Sequence, residues 1–174
     1  MTATDGWEGI LDADEDIIWQ GRPDSKIAWG ASNIFTLIFG LFFAGFALFW
    51  MVMASMAGGF FWMFGLIHFT VGIGIAFGTL FYSAYKRRQS WYTLTNKRAF
   101  IASNLPLLGK KLKSYPITAD TRLEFVEGTP ASILFATEMR RTKNGTTTVK
   151  LGFERIENGR EVYAKFREVQ KAAR

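Results

Sequence analysis

The chain has 174 residues and a net charge of +6, and 49% of its residues are hydrophobic. Between Lys26 and Lys86 lie 59 residues without a single Asp, Glu, Lys or Arg. A soluble protein of this size could hardly bury such a stretch, because its helices must present a polar face to water, and lipid is the simpler solvent. The absence of cysteine excludes disulfides, thiolate nucleophiles and cysteine-ligated metal sites.

The chain begins with an acidic segment, residues 1–26, which carries seven acids and two bases. Three of the acids alternate as the first ligands of an EF-hand loop do: Asp12, Asp14 and Asp16. That loop also needs Gly at its sixth position and Glu at its twelfth. Ile17 and Pro23 occupy those positions here, so we predict no metal site. We expect the acids to form a solvated tail or the first turn of a short amphipathic segment.

The uncharged stretch, residues 27–85, is long enough for two spanning helices. Each such helix needs about 20 apolar residues to cross a bilayer core of about 30 Å. Two adjacent glycines, Gly58 and Gly59, free the backbone to reverse its direction. We therefore predict a turn at residues 55–59 between transmembrane helices at about residues 27–54 and 60–82.

Aromatic residues support these two spans, because Trp and Tyr favour the interfaces between membrane and water. Trp29 and Trp50 are 21 residues apart, which corresponds to about 32 Å along a helix. Trp62 and Tyr82 are 20 residues apart, or about 30 Å. Both separations match the thickness of the hydrocarbon core.

Basic residues near the span ends predict the orientation. Arg22 and Lys26 precede the first span, and Lys86, Arg87 and Arg88 follow the second, whereas the turn carries no charge. Because basic flanks stay in the cytoplasm, we predict that both termini are cytoplasmic and that the turn lies outside.

Small residues spaced four apart allow close approach of membrane helices. They occur in three pairs: Gly40 and Ala44, Ala54 and Gly58, and Gly74 and Gly78. Such pairs are typical either of packing within the hairpin or of a dimerisation face. His68 has no charged partner in the spans, so we expect a neutral side chain hydrogen-bonded across the hairpin, for example to Thr36. The lack of a chain of polar groups argues against a transporter or channel.

A β-rich domain, residues 86–174, is predicted after the second span. Asn96 and Lys97 predict a two-residue hairpin turn, since Asn tolerates positive φ. Strands are predicted at residues 91–95, 98–102, 111–116, 122–127, 132–138 and 146–154. Asn144 and Gly145 predict a hairpin between the last two strands.

The domain ends in a helix predicted at about residues 159–173. Asn158 is the candidate N-cap, and Glu161 three residues later suits a capping box. An apolar stripe at helical spacing consists of Val162, Phe166 and Val169. This stripe should pack on the sheet or plug the open end of a small barrel. Antiparallel strands followed by one helix give an α+β fold.

Three segments resemble the bacterial pleckstrin-homology-like membrane proteins: EDIIWQGRP at residues 15–23, WYTLTNKRAFI at 91–101 and YPI at 115–117. The resemblance implies a two-helix transmembrane hairpin followed by a small, strongly bent sheet or β-barrel, usually of seven strands, closed by the C-terminal helix. It also implies the cytoplasmic (inner) membrane of a bacterium. The chain departs from the family at residues 103–109, which replace a shorter glycine turn, and in its six predicted strands.

The sequence shows no catalytic constellation, because its one histidine lies in a predicted span and no phosphate-binding P-loop is present. We therefore predict no enzyme and no cofactor. Residues 84–174 hold nineteen bases and eight acids, a net charge of +11 that favours an anionic partner. Nucleic acid is not expected, because no platform of stacking aromatics is evident.

The candidate lipid-binding residues form two groups: Lys86, Arg87 and Arg88 after the second span, and Lys110, Lys111 and Lys113 in one loop. Each base near an anionic leaflet contributes about 1 kcal/mol. The first group also fits a mere orientation signal, and the second an edge-protecting charge cluster. We predict that a fragment from Arg88 onward binds anionic vesicles in a salt-sensitive way.

The function predicted from sequence is a non-enzymatic, membrane-anchored binding module at the inner leaflet. Its partner would be anionic lipid head groups or another protein. The alternative is a structural subunit of a homo-oligomer or of a larger membrane assembly. A defined oligomer in detergent would favour the alternative, and a monomer with strong lipid binding the module.

Overall fold

The computed structural model describes residues 6–106, 109–142 and 145–173, and its architecture is α+β. The strands are β1 (Ile17–Gly21), β2 (Ser90–Thr95), β3 (Arg98–Leu105), β4 (Gly109–Pro116), β5 (Glu124–Val126), β6 (Ala131–Thr142) and β7 (Gly145–Ile156). The helices are α1 (Ala31–Met56), α2 (Phe64–Arg88) and α3 (Gly159–Ala172), with a 3₁₀ turn at Phe61–Met63. The chain divides into a hairpin unit (Ser25–Lys86) and a β unit formed by the described residues up to Asp24 and from Arg87 onward.

The hairpin unit contains the two long apolar helices that the sequence predicts. The chain reverses after α1 through Gly58 and Gly59, whose φ angles of +82° and +76° favour glycine. This confirms the predicted position of the turn. Helix α2 continues to Arg88, beyond the predicted end of the span, because Lys and Arg are good helix formers.

Glycine and alanine let the two helices of this unit approach closely. A Cβ atom on Gly40 would lie 2.4 Å from the backbone nitrogen of Ala76, and one on Gly72 would lie 2.7 Å from that of Ala44. Gly74 and Gly78 instead have no such neighbour within 4 Å. The pair Gly40 and Ala44 therefore packs within the hairpin, whereas Gly74 and Gly78 do not.

Large apolar side chains remain exposed along both helices. Phe42 in α1 and Phe81 in α2, for example, are 75% and 59% exposed. By length and composition, α1 and the segment Phe61–Arg88 are each suitable for crossing a membrane. Soluble monomers rarely expose contiguous apolar patches larger than a few hundred Å².

The β unit contains two antiparallel sheets, with strand orders β1-β2-β3-β4 and β5-β6-β7. The strands that the structure describes thus form two sheets and no closed barrel. After β4 the chain leaves the ladder at Pro116, which has no N–H to donate. Residues 118–121 then form a turn in which the Thr121 amide donates to the Thr118 carbonyl.

Strand β1 belongs to the β unit although it precedes the hairpin unit in the sequence. It pairs with β2, and Gly21 lies opposite Tyr92. The predicted separate acidic segment, residues 1–26, therefore contains a strand of the β unit, which pairing with β2 incorporates into the sheet. With β1 the described strands number seven rather than the predicted six.

Aromatic side chains form the core between the two sheets and α3. Phe153 stacks on Tyr92 at a centroid distance of 4.7 Å and contacts Phe166 at 5.2 Å. The predicted stripe of α3 is fully covered, as its side chains are at most 2% exposed: Val162, Phe166 and Val169. Asn158 is the N-cap residue but makes no side-chain capping bond, and Glu161 pairs with Lys165 instead of closing a capping box.

Candidate functional site

An N-terminal strap, residues 6–16, covers part of the four-stranded sheet on the face opposite the core. Side chains alternate between the faces of a strand, so Ala99 lies in the core and Phe100 on the other face. The Trp7 ring packs edge-on against Phe100 at a centroid distance of 5.1 Å. Phe100 is only 2% exposed as a result.

Glu15 fixes the strap to the sheet. Its carboxylate accepts hydrogen bonds from Thr95 Oγ1 at 2.6 Å, from Arg98 Nε at 3.1 Å and from the Asp12 amide at 3.1 Å. Burial of Glu15 opposes ionisation, but the hydrogen bonds from Arg98 and Thr95 outweigh it and lower the pKa to about 2. Glu15 is therefore a buried carboxylate that is charged at neutral pH.

The β2–β3 turn provides the second attachment of the strap. The Asn96 side chain accepts from the Asp16 amide at 3.1 Å and donates to the Asp14 carbonyl at 3.0 Å. Asp14 also pairs with Lys97, and this contact lowers the pKa of Asp14. The acids expected to form a solvated tail thus contact bases of the sheet, because β1 places the strap beside this turn.

A cleft of about 810 Å³ lies between the strap and the sheet. Its wall comprises the strap, the end of β1, the start of β2, the end of β3 and the start of β4. Three bases line it: Arg22, Lys110 and Lys111. None of the described residues that line the cleft is acidic, so its electrostatic field favours an anion.

An aromatic ring orients one of the three bases. The Arg22 guanidinium lies 4.7 Å from the centroid of the Trp91 ring, within the range of a cation–π contact. Lys110 lies opposite Asn104, and Lys111 opposite Ser103, at the β3–β4 end of the sheet. Arg22 follows β1, whereas Lys110 and Lys111 belong to β4, so the bases come from the two edges of the sheet. Because side chains alternate along β4, Lys110 shares the strap-covered face with Leu112, and Lys111 lies on the face of Lys113.

The predicted loop of Lys110, Lys111 and Lys113 is wrong, because these residues lie in strand β4. Two of the six predicted lipid-binding residues, Lys110 and Lys111, line the cleft. Lys113 instead binds Glu138 of β6 at 2.6 Å, and Glu138 also accepts from Tyr115. These two contacts lower the pKa of Glu138. Lys113 therefore forms an ion pair between the two sheets and does not line the cleft.

The other three predicted residues lie at the end of α2. Arg88 is exposed, and Lys86 belongs to the hairpin unit. Arg87 Nε donates to the Asp24 carbonyl at 3.0 Å. None of the three lines the cleft.

Sequence reasoning missed Arg22 as a site residue and used it only to predict orientation. Its proximity to Lys110 depends on the pairing of β1 with β2. A signal was present in the short apolar run Ile17, Ile18 and Trp19, which is compatible with a strand.

Asp24 joins the ends of the two chain segments that form the β unit. Its amide donates to the Arg155 carbonyl at 2.7 Å, and its carboxylate binds Arg155 Nη2 at 2.9 Å. Together with the Arg87 bond, these contacts fix the positions at which the chain leaves the β unit and returns to it.

His68 does not make the predicted contact across the hairpin. Its Nδ1 lies 3.3 Å from the Phe64 carbonyl of the same helix, whereas the Thr36 hydroxyl donates to the Ser32 carbonyl. The prediction of a bond to Thr36 is wrong, because both polar groups are satisfied by their own helices. His68 borders an apolar cavity of about 230 Å³ together with aromatic residues such as Phe43 and Trp50.

Comparisons with protein-family models, with curated proteins and with solved structures find no match to this chain. The described residues contain no group of three His, Cys, Asp or Glu side chains that could hold a metal ion. The cleft with its three bases is therefore the candidate functional site.

Proposed function

We propose that the protein is a non-enzymatic, membrane-anchored binding module whose cleft binds anionic lipid head groups. The observation that carries this proposal is that Arg22, Lys110 and Lys111 all line one cleft, whose described wall contains no acid. Head-group phosphates are anions that Arg and Lys bind through charge-assisted hydrogen bonds.

The anchor in this proposal is the hairpin unit, inserted into a bilayer through α1 and α2. Their exposed apolar side chains support insertion, because lipid would replace water around them. Arg22 lies only nine residues before the first residue of α1, Ala31, which limits their separation to about 30 Å. Trp91 follows the last residue of α2 by three residues. The connections between the anchor and the residues of the cleft are therefore short in sequence.

The proposed setting is the inner leaflet of a bacterial cytoplasmic membrane, with both termini in the cytoplasm. Basic residues at the span ends support this orientation. The bacterial setting rests on the resemblance of residues 15–23, 91–101 and 115–117 to the bacterial pleckstrin-homology-like membrane proteins.

Orientation can be tested by single-cysteine labelling, because the chain contains no cysteine of its own. Ala57→Cys, at an exposed position of the turn, should react with a membrane-impermeant maleimide added to intact cells. Glu8→Cys in the strap should react only after the cells are opened. The reverse pattern, or equal labelling of both, would contradict the proposed orientation.

Lipid binding can be tested on the full chain in detergent, by measuring the retention of anionic and zwitterionic phospholipids with native mass spectrometry. Lys110→Gln combined with Lys111→Gln should reduce retention of the anionic lipid at least tenfold. Arg140→Gln combined with Arg141→Gln removes the same charge from exposed positions of β6 outside the cleft. Equal losses of anionic-lipid retention in the two double variants would contradict the cleft as the binding site.

This test must use the full chain rather than the fragment from Arg88 onward. That fragment would lack β1, the strap and Arg22, which the structure places in the β unit. The alternative of an assembly subunit stays a prediction. Sizing of the detergent-solubilised chain would favour it if a defined oligomer formed without any selective retention of anionic lipid.

A further inference from the structure

The size of the cleft exceeds what a bare anion needs. Its volume of about 810 Å³ lies within the range of about 300–1,000 Å³ for clefts that bury drug-sized ligands. A phosphate group is only a few times larger than a water molecule, whose share of liquid volume is about 30 Å³. A phosphate bound at these bases would leave most of the cleft unfilled.

Much of the remaining wall is apolar. The strap contributes Trp7 and Ile10, β2 contributes Trp91, and β4 contributes Leu112. Ile10 and Leu112 are 38% and 43% exposed, so each presents apolar surface to the opening. Burying such surface beneath a ligand is favourable in proportion to the area removed from water.

We infer that the cleft binds an amphiphilic anion, with the charged group on the bases and an adjoining apolar part against the strap. This inference rests on the proposed function and specifies its ligand as a lipid segment larger than the phosphate. Because Trp7 and Ile10 form one wall, the apolar part is held only while the strap is docked. Binding of the ligand and docking of the strap therefore stabilise each other.

Glu15 controls strap docking without lining the cleft. Its carboxylate binds Arg98 and Thr95 on the sheet, whereas the cleft wall includes none of these three residues. Glu15 is thus a positioning residue for Trp7 and Ile10. A change at Glu15 should affect the ligand only through the strap wall.

The ligand class is tested with three soluble probes added to the full chain in neutral nanodiscs: inorganic phosphate, butyl phosphate and butanol. Butyl phosphate should bind at least tenfold more tightly than inorganic phosphate. Butanol at the same concentration should not displace butyl phosphate. Both anions should bind more weakly to the double variant Lys110→Gln and Lys111→Gln. Comparison with this variant corrects for partition of the probes into the nanodisc lipid.

The outcomes separate this inference from the proposed function. Equal affinities for phosphate and butyl phosphate would overturn the amphiphile and leave the anion site standing. Absence of binding by both anions would overturn both proposals. Ile10→Ala, which leaves Glu15 and Arg98 in place, should weaken butyl phosphate severalfold and leave phosphate unchanged.

The role of the strap is tested with Glu15→Gln in two backgrounds. In the otherwise native chain it should weaken butyl phosphate severalfold. In the background of Trp7→Ala combined with Ile10→Ala it should have little further effect, because both apolar side chains of the strap wall are already absent. Glu8→Gln, at an exposed position of the same strap, is the matched control. Equal effects of Glu15→Gln in both backgrounds would overturn the coupling.

Discussion

Gly21 and Tyr92 lie opposite each other in adjacent antiparallel strands, although the entire hairpin unit separates them in the sequence. The long apolar segment is therefore an insertion between two neighbouring strands rather than a separate N-terminal anchor. Asp24 closes the insertion point through its bonds to Arg87 and Arg155. One consequence is that the β unit is assembled from both ends of the chain.

The first prediction concerns excision of the hairpin unit. Joining Asp24 to Arg87 by a short Gly-Ser linker should give a water-soluble protein that unfolds cooperatively, because Arg87 Nε already donates to the Asp24 carbonyl at 3.0 Å. Circular dichroism during heating would measure this. The control fragment, from Arg87 onward, lacks β1 and should aggregate or unfold at a lower temperature. Equal stability of the two proteins would show that β1 contributes nothing.

The second prediction concerns acid stability. The pKa of Glu15 is about 2 in the folded state and about 4.5 in the unfolded chain, so its contribution is present above pH 4.5 and is lost as the pH falls towards 2. This difference corresponds to about 3 kcal/mol at neutral pH. Urea unfolding of the excised β unit should show that Glu15→Gln costs about this much at pH 7 and little at pH 2. A cost that is independent of pH would contradict the ionic role of Glu15.

The third prediction concerns helix packing in the hairpin unit. Gly40→Ala places a methyl group against the Ala76 backbone and should destabilise the hairpin by about 1–3 kcal/mol, as overpacking does. Gly74→Ala is the matched control, since no atom meets the added methyl group within 4 Å. Denaturation of the full chain by increasing SDS in mixed micelles would compare them. Similar effects of both changes would refute the described helix contact.

Local patterns in the sequence were sufficient to predict much of the fold. The Asn96–Lys97 turn, the glycine reversal at Gly58 and Gly59, and the buried stripe of α3 are each encoded within a few neighbouring residues. The pairing of β1 with β2 is not local, because its hydrogen bonds join segments on either side of the hairpin unit. The alternating or apolar character of β1 alone does not identify its partner.

The candidate site was only partly predictable for the same reason. Lys110 and Lys111 are adjacent in the sequence, and their charge was visible without the structure. Arg22 joins them only through β1, and Lys113 is removed from the group by Glu138 of the other sheet. The strap could not be predicted, because its acids pair with residues that follow the hairpin unit in the sequence. A periodic pattern within a short segment does not indicate such distant partners.

The most direct measurement of the central claim is lipid capture at the cleft in native membranes. A photoreactive amino acid at Leu112, in the cleft wall, should form a covalent adduct with an anionic phospholipid, which mass spectrometry of the purified chain would identify. The same amino acid at Met139, which is 82% exposed on β6 and outside the cleft, serves as the control. We expect anionic lipid at Leu112 and little at Met139. Absence of a lipid adduct at Leu112, or equal capture at both positions, would contradict the proposed function.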